Sequence, residues 1–116
     1  MKLLFIQTCA PHGSINAQEG LDAVLMASAF AECGLLFTAE GVLQLIKDQA
    51  TAELGIRDFS KTFGALRDYG VKEIYCRSDS MQRYGLEQDD LLLDAAIIDD
   101  PGIHQLIRNH DQVLTF

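Results

Sequence analysis

The sequence predicts an α/β fold of the doubly wound kind, with about five mostly parallel strands and helices on both faces of the sheet. Short apolar runs alternate with amphipathic stretches along the chain, and repeated strand–helix–strand crossovers give parallel sheets. Hydrophobic residues make up 48% of the 116 residues, which is enough for a packed core. Because the chain has only two prolines and no low-complexity segment, residues 1–116 are interpreted as one domain.

The first half of the chain predicts two strands with a long helix between them. Residues 2–8 form an apolar run that is typical of a strand buried on both faces. Asn16 is the predicted cap of the helix that follows, with Glu19 three residues on to complete a capping box. The helix is expected to end at Gly34, because glycine adopts the left-handed conformation that stops helices. Residues 35–39 then predict the second strand.

The middle of the chain continues the alternation after a long connection. Gly41 opens a short apolar helix, and residues 47–58 are polar and predict the longest loop. Ser60 is the predicted cap of the next helix, which Gly70 ends. Apolar and polar side chains alternate over residues 71–76, which predicts the third strand.

The last third of the chain predicts three further elements and a short helix before them. Ser78 is the predicted cap of that helix, which runs through Tyr84 and which Gly85 stops, and a short fourth strand is expected within residues 91–98. Asp100 followed by Pro101 predicts the start of the final helix, since proline favours the first helical turn. Residues 112–116 predict the last strand.

The charge of the chain excludes two classes of partner. Seventeen acidic residues against nine basic ones give a net charge of −8, which disfavours direct binding of nucleic acid over the whole surface and binding to an anionic membrane. Only residues 57–83 are mildly basic, which we interpret as a solvated helix surface; the alternative is a docking patch for an acidic partner. No stretch approaches the ~18–20 apolar residues that span a bilayer, and the first apolar run is too short for a signal peptide.

The three cysteines are odd in number and widely spaced, which indicates reduced thiols and a cytoplasmic protein. In a flavodoxin-like strand order, strands one and three are neighbours, so Cys9 and Cys76 could open onto one crevice at the strand ends. Cys76 precedes a helix start and stands beside Arg77, a setting that lowers a thiol pKa and favours sulfur transfer. The alternative for Cys76 is a small buried hydrophobic residue, which is also our interpretation of Cys33, late in the first helix.

No cofactor or metal is predicted from the remaining motifs. His12 follows Cys9 by three residues, but no second pair of ligands completes a tetrahedral site. The loop after the first strand has neither a dinucleotide-binding nor a P-loop pattern. His104 and His110 flank the last helix and are expected on the surface. Capping and solvation are the expected roles of the acidic run, which comprises Asp89, Asp90, Asp94, Asp99 and Asp100.

The first helix is apolar on more than one face, which predicts a contact with another subunit. Leu21, Val24 and Leu25 form the face expected to cover the sheet, while Met26 and Phe30 extend the apolar surface around the helix. A helix with two apolar stripes is buried on two sides. We therefore expect another chain to cover Met26 and Phe30.

Several blocks of the sequence resemble the TusC/DsrF family, within the DsrE/DsrF/DsrH superfamily of small sulfur-relay proteins. The blocks are Ala10-Pro11-His12-Gly13, Glu19-Gly20-Leu21-Asp22-Ala23, the stretch from Phe37 to Leu45, Gln82-Arg83-Tyr84-Gly85-Leu86 and the segment from Asp111 to Phe116. The resemblance implies a doubly wound fold. It also implies B-type and D-type sister subunits in a hetero-hexamer that passes persulfide sulfur toward 2-thiolation of the tRNA wobble uridine. In sulfur-oxidising bacteria, the related complex serves sulfur oxidation instead.

The resemblance also bears on the cysteines. In the family, the D-type subunit carries the sulfur-accepting cysteine near the end of the third strand, and the C-type subunit is regarded as lacking it. Counting back from Gly85, Arg77 falls at that position and Cys76 is displaced by one residue, which reverses the side-chain direction on a strand. The catalytic role is therefore carried over to neither Cys76 nor Cys9.

Three hypotheses follow for the function. The first is a non-catalytic subunit of a sulfur-relay complex, without a cofactor, whose partners are B-type and D-type sister subunits or, when it is expressed alone, further copies of itself. The second is a sulfurtransferase that carries persulfide on Cys76 itself. The third is an unrelated flavodoxin-like module that binds a small ligand at the strand ends.

Overall fold

Five parallel strands form the single sheet of the structure, which is a computed structural model. It describes residues 1–10, 15–46, 60–92 and 94–116, and of residues 60–62 the backbone alone. The spatial order of the strands is β4-β3-β2-β1-β5. Their bounds are β1 Lys2–Gln7, β2 Glu32–Phe37, β3 Glu73–Arg77, β4 Ala96–Ile98 and β5 Gln112–Thr115.

Four α-helices and two 3-10 helices connect the strands in the described ranges. The α-helices are α1 Asn16–Ala27, α2 Ser60–Asp68, α3 Ser78–Arg83 and α4 Asp100–Arg108. The 3-10 helices are Ala39–Leu45 and Gln88–Asp90. None of the helices in these ranges has the length and apolarity needed to cross a membrane.

The predicted α/β class with parallel strands and helices is confirmed, but β1 and β3 are not neighbours. β2 lies between them, with Leu35 opposite Phe5 on one side and Ile74 on the other. Successive strands from β1 to β4 are added outward in one direction, since consecutive elements tend to lie side by side. Only β5 lies on the other side of β1. The direction in which successive strands are added to the sheet therefore reverses between β1 and β5.

The core has two layers, one on each face of the sheet. On one face, α1 contributes Leu21 and Val24, which are fully buried in a cluster with Phe5 and Phe37. On the other face, Leu106 of α4 packs with Leu4 and Leu36 in a smaller cluster. Neighbouring residues of one strand thus enter different layers, which explains why β1 and β2 are continuous apolar runs rather than alternating ones.

The ends of two helices differ from the sequence-based expectation. α1 ends at Ala27 rather than at Gly34, so Cys33 lies in β2 and not in a helix. The residue before α1 is Ile15, which makes no side-chain cap, and Asn16 is the first helical residue instead of the cap. At α4 the cap is one residue earlier than predicted, because the carboxylate of Asp99 accepts a hydrogen bond from the Gly102 N–H at 3.0 Å.

Other predicted boundaries agree with the structure. Gly70 follows α2 with a positive φ of 84°, the left-handed conformation expected of a glycine helix stop. β4 falls within the predicted stretch 91–98, and the last strand begins at Gln112 as expected. The predicted loop 47–58 lies outside the described residues.

Candidate functional site

The carboxyl ends of β1, β2 and β3 form the edge at which ligands bind in open parallel sheets. Cys9 follows β1, Thr38 follows β2, and Cys76 and Arg77 end β3. All three cysteines of the chain are free thiols. The edge therefore holds two thiols, and their surroundings decide what each can do.

Cys76 is a core residue. Its side chain is fully buried in the cluster that α1 covers, and burial raises the pKa of its thiol from 9.0 to about 12. The start of α3, directly after β3, does not offset this effect. Cys76 is thus a small, neutral hydrophobic side chain. The lowered thiol pKa that the sequence predicted for it beside a helix start is wrong.

Cys9 is half-buried and hydrogen-bonded on both sides. The Thr8 hydroxyl donates to the Phe116 carbonyl oxygen at 2.8 Å, which leaves the Cys9 thiol as the donor across the 3.8 Å to Thr8 Oγ1. Asn16 Nδ2 lies 3.7 Å from the sulfur as a donor. The strands that precede Cys9 and contain Cys76 are about 9.5 Å apart, because β2 separates them. The predicted shared crevice of these two thiols is therefore wrong.

Cys33 lies at the opposite edge of the sheet. It is the second residue of β2, is buried, and its pKa is raised by burial. Its thiol is 3.7 Å from the Ala31 carbonyl oxygen. Its position excludes a joint role with the thiols at the carboxyl edge.

Arg77 points to the face that α4 covers. Its guanidinium donates twice to the Asp100 carboxylate, from Nε at 3.0 Å and from Nη2 at 3.2 Å, and this contact raises the Arg77 pKa. Asp79 is a weaker neighbour at 3.8 Å. A small crevice of about 270 Å³ lies beside the ion pair, lined by Ile6, Leu36, Thr38, Ile103, His104 and Ile107. The Arg77–Asp100 pair thus fastens the end of β3 to the start of α4.

Two buried glutamines organise the end of β1, and sequence reasoning missed both. Gln7 Nε2 donates to the Ala17 carbonyl oxygen at 3.0 Å, and Gln44 Nε2 donates to that of Cys9 at 2.8 Å. The first bond connects β1 to α1. The second connects the 3-10 helix Ala39–Leu45 to Cys9, shortly after β1. The signal available in the sequence was a polar residue inside each of two apolar runs.

Two glycines make room for Gln7. A Cβ atom on Gly20 of α1 would collide with the Gln7 carboxamide, and one on Gly41 would collide with the Gln7 backbone carbonyl. Both glycines belong to the sequence blocks that carried the family resemblance. The two glycines therefore allow α1 and the 3-10 helix to lie close to β1.

The histidines occupy different environments. His104 is exposed as expected, but the side chain of His110 is buried, with only 2% of it accessible. Its Nδ1 donates to the Leu106 carbonyl oxygen at 2.7 Å, and its Nε2 lies 3.8 Å from Glu73. The surface prediction for His110 is wrong because Gly34 of β2 leaves space for the ring.

The structure reveals no metal centre in the part of the chain it describes. Among those residues, no group of three or more His, Cys, Asp or Glu side chains could hold an ion. His12 and its neighbours 11–14 lie outside the described residues. In the acidic run, Asp99 caps α4 and Asp90 accepts a hydrogen bond from the Glu87 N–H at 2.9 Å.

Three exposed apolar side chains lie together where α1 ends. Phe30 is 89% exposed, Met26 73% and Tyr69 62%, and they line an open groove of about 470 Å³ with Leu25, Ser28 and Ala29. We call Met26, Phe30 and Tyr69 the α1 patch. The chain itself leaves Met26 and Phe30 uncovered, and their predicted contact with another subunit stays a prediction.

Comparison with known proteins places the chain in a family. A model of the DsrE/DsrF-like family matches residues 1–116. The chain belongs to this family. It is 33% identical to a protein TusC homolog of Vibrio vulnificus strain YJ016, over 99% of this chain and 98% of that one. It is 34% identical to a protein TusC homolog of Aliivibrio fischeri, with the same coverage of both chains.

Two solved structures share the fold of this DsrE/DsrF-like chain. The crystal structure of the Escherichia coli ychN protein superposes with a TM-score of 0.82 at 19% identity, covering 99% of this chain and 98% of that one. The protein MTH1491 from Methanobacterium thermoautotrophicum superposes with a TM-score of 0.68 at 16% identity, covering 99% and 97%. These two structures show the shared fold, and the family model and the TusC homologues confirm the family resemblance noted in the sequence.

Proposed function

We propose that this chain is a non-catalytic subunit of a cytoplasmic sulfur-relay complex. In this proposal, B-type and D-type sister subunits join it in a hetero-hexamer that passes persulfide sulfur toward 2-thiolation of the tRNA wobble uridine. The DsrE/DsrF-like family and the TusC homologues support membership of a relay complex. The observation that carries the non-catalytic role is the burial of Cys76.

Accepting sulfur requires a thiolate that can reach the donor. The thiolate attacks the outer sulfur of a persulfide, a new S–S bond forms, and the donor leaves as a thiolate. With a pKa of about 12, Cys76 would be ionised in roughly one molecule in 10⁵ at pH 7. Its sulfur is also closed off from solvent by the core. Both properties support a packing role for Cys76.

The position that the family resemblance assigns to the D-type cysteine supports the same conclusion. Arg77 stands there, and its guanidinium is held by Asp100 through two hydrogen bonds. A guanidinium offers hydrogen-bond donors and a fixed charge, but no nucleophile. The chain is therefore proposed to contribute surface and structure, while a sister subunit handles the sulfur.

The proposal is tested by following sulfur into the reconstituted complex. The complex is incubated with a cysteine desulfurase and cysteine labelled with ³⁵S, and the subunits are separated without reductant. We expect label on the D-type subunit and none on this chain. Cys76→Ala should leave transfer unchanged, because alanine keeps the site small and apolar. Cys9→Ser is the matched control at the half-buried thiol.

Two results would overturn this proposal. Label retained on this chain and lost in Cys76→Ala would assign the sulfur-carrying role to Cys76. Label lost only in Cys9→Ser would assign it to Cys9. The substrate is tested separately, by measuring 2-thiouridine in tRNA from cells that lack the gene; unchanged thiolation together with impaired sulfur oxidation would favour a sulfur-oxidation complex instead.

A further inference from the structure

The α1 patch is an apolar surface that the fold leaves uncovered. α1 buries Leu21 and Val24 against the sheet, while Met26 and Phe30 project from the outer side of α1 and of the turn after it. Tyr69, directly after α2, continues the surface from a second element. Exposed aromatic and methionine side chains in one cluster are typical of the centre of a protein–protein interface.

The rim of the α1 patch carries more negative than positive charge. Asp22 is exposed one helical turn before Met26 and lies on the same side of α1. A polar cleft of about 400 Å³ adjoins the patch, shares Ser28 and Tyr69 with it, and is lined by Glu32, Lys72 and Glu73. The Glu73 carboxylate lies 3.8 Å from His110, so Asp22 and Glu32 supply the negative charge of the rim, against the one ammonium group of Lys72.

We propose that the α1 patch docks a different protein chain, whose surface presents an apolar pocket ringed by Lys and Arg side chains, rather than a second copy of this chain. The inference rests on the proposed function, since it specifies which surface a sister subunit would use. Phe30 is the anchor that enters the pocket, because it is the most exposed large apolar side chain in the described ranges. The acidic rim selects the partner.

Charge is the argument against self-association. A two-fold contact between identical patches would place Asp22 and Glu32 of one copy against the same rim of the other copy. Each copy also has a net charge of −8, so two copies repel at low ionic strength. A partner with basic residues around its pocket removes both penalties and gains attraction instead.

The first experiment substitutes the anchor. The chain is mixed with separately purified B-type and D-type sister subunits, and dissociation constants are measured by sedimentation for wild type, Phe30→Asp and Ile97→Asp. Phe30→Asp should weaken binding by about 30-fold or more, the usual effect of losing a central aromatic anchor. Ile97→Asp, a matched change at a 43% exposed isoleucine of β4, should stay within about threefold of wild type. Circular dichroism checks that both variants are folded.

The second experiment reverses the rim charge. Asp22→Lys combined with Glu32→Lys should weaken the same association about tenfold at 50 mM salt. The loss should shrink at 0.5 M salt, because the Debye length falls from about 14 Å to about 4 Å. Glu40→Lys combined with Asp89→Lys makes the same change of net charge away from the patch and should have little effect.

The outcomes separate this inference from the proposed function. Association of Phe30→Asp equal to that of wild type would overturn the inference and leave the proposed function standing. A wild-type homodimer that Phe30→Asp dissolves would show that a second copy covers the patch, against the inference. Equal effects of the rim and control charge reversals would refute the basic pocket. Failure of the wild-type chain to bind either sister subunit would overturn the proposed function and the inference together.

Discussion

Replacing Gly41 by alanine tests whether the close approach of the 3-10 helix to β1 determines the fold. A Cβ atom at this buried position would overlap the carbonyl of Gln7 and would lie 3.2 Å from the Thr8 nitrogen. All of these are backbone atoms at the end of β1 and directly after it, where the chain is hydrogen-bonded to Thr38 on one side and Phe116 on the other, so no flexible side chain can move aside. We expect a loss of about 3 kcal/mol, at the upper end of overpacking costs.

Gly64 supplies the matched control for Gly41. It lies in α2, is exposed, and a Cβ atom there would meet nothing within 4 Å. Gly64→Ala should stabilise the chain by about 0.5–1 kcal/mol, because alanine is the better helix former. Urea and thermal unfolding of the purified chain measure both, and 3 kcal/mol corresponds to a fall in Tm of roughly 12 °C. Equal stabilities of Gly41→Ala and wild type would refute the packing argument.

Two further predictions concern single side chains. Burial raises the Cys76 pKa to about 12, so its contribution to stability is complete below pH 9.0 and is lost as the pH rises toward 12. The free energy of unfolding should fall by up to about 1.4 kcal/mol per pH unit in this window, and Cys76→Ala should remove that part of the slope in urea titrations. Asp99→Ala should cost about 1 kcal/mol by removing the cap of α4, while Asp89→Ala, in the second 3-10 helix, should change stability by less than about 0.5 kcal/mol.

Most elements could be predicted from the sequence because their signals are local. The apolar runs of β1 and β2 reveal strands buried on both faces, and the left-handed conformation at Gly70 follows from the residue type itself. The end of α1 was placed too late, because the alanines and Phe30 that follow it are compatible with a helix. Only pairing with β1 decides that residues from Glu32 onward form a strand.

Strand order and side-chain environments could not be predicted, because they depend on residues distant in sequence. Periodicity shows that β1 and β3 are strands but not that β2 lies between them. His110 is buried because Gly34, far away in the chain, leaves space for its ring. Cys76 has the neighbours of a reactive thiol in sequence, yet the core that surrounds it sets its pKa.

The hydrogen bonds between Thr8 and Phe116 have a practical consequence for handling the protein. Both the backbone N–H and the hydroxyl of Thr8 donate to the Phe116 carbonyl, so residue 116 lies next to Cys9. A purification tag fused after Phe116 would emerge over that thiol and hinder alkylating reagents or bulky labels there. A tag fused before Met1 would leave from the far edge of the sheet, so amino-terminal fusions suit any labelling study of Cys9.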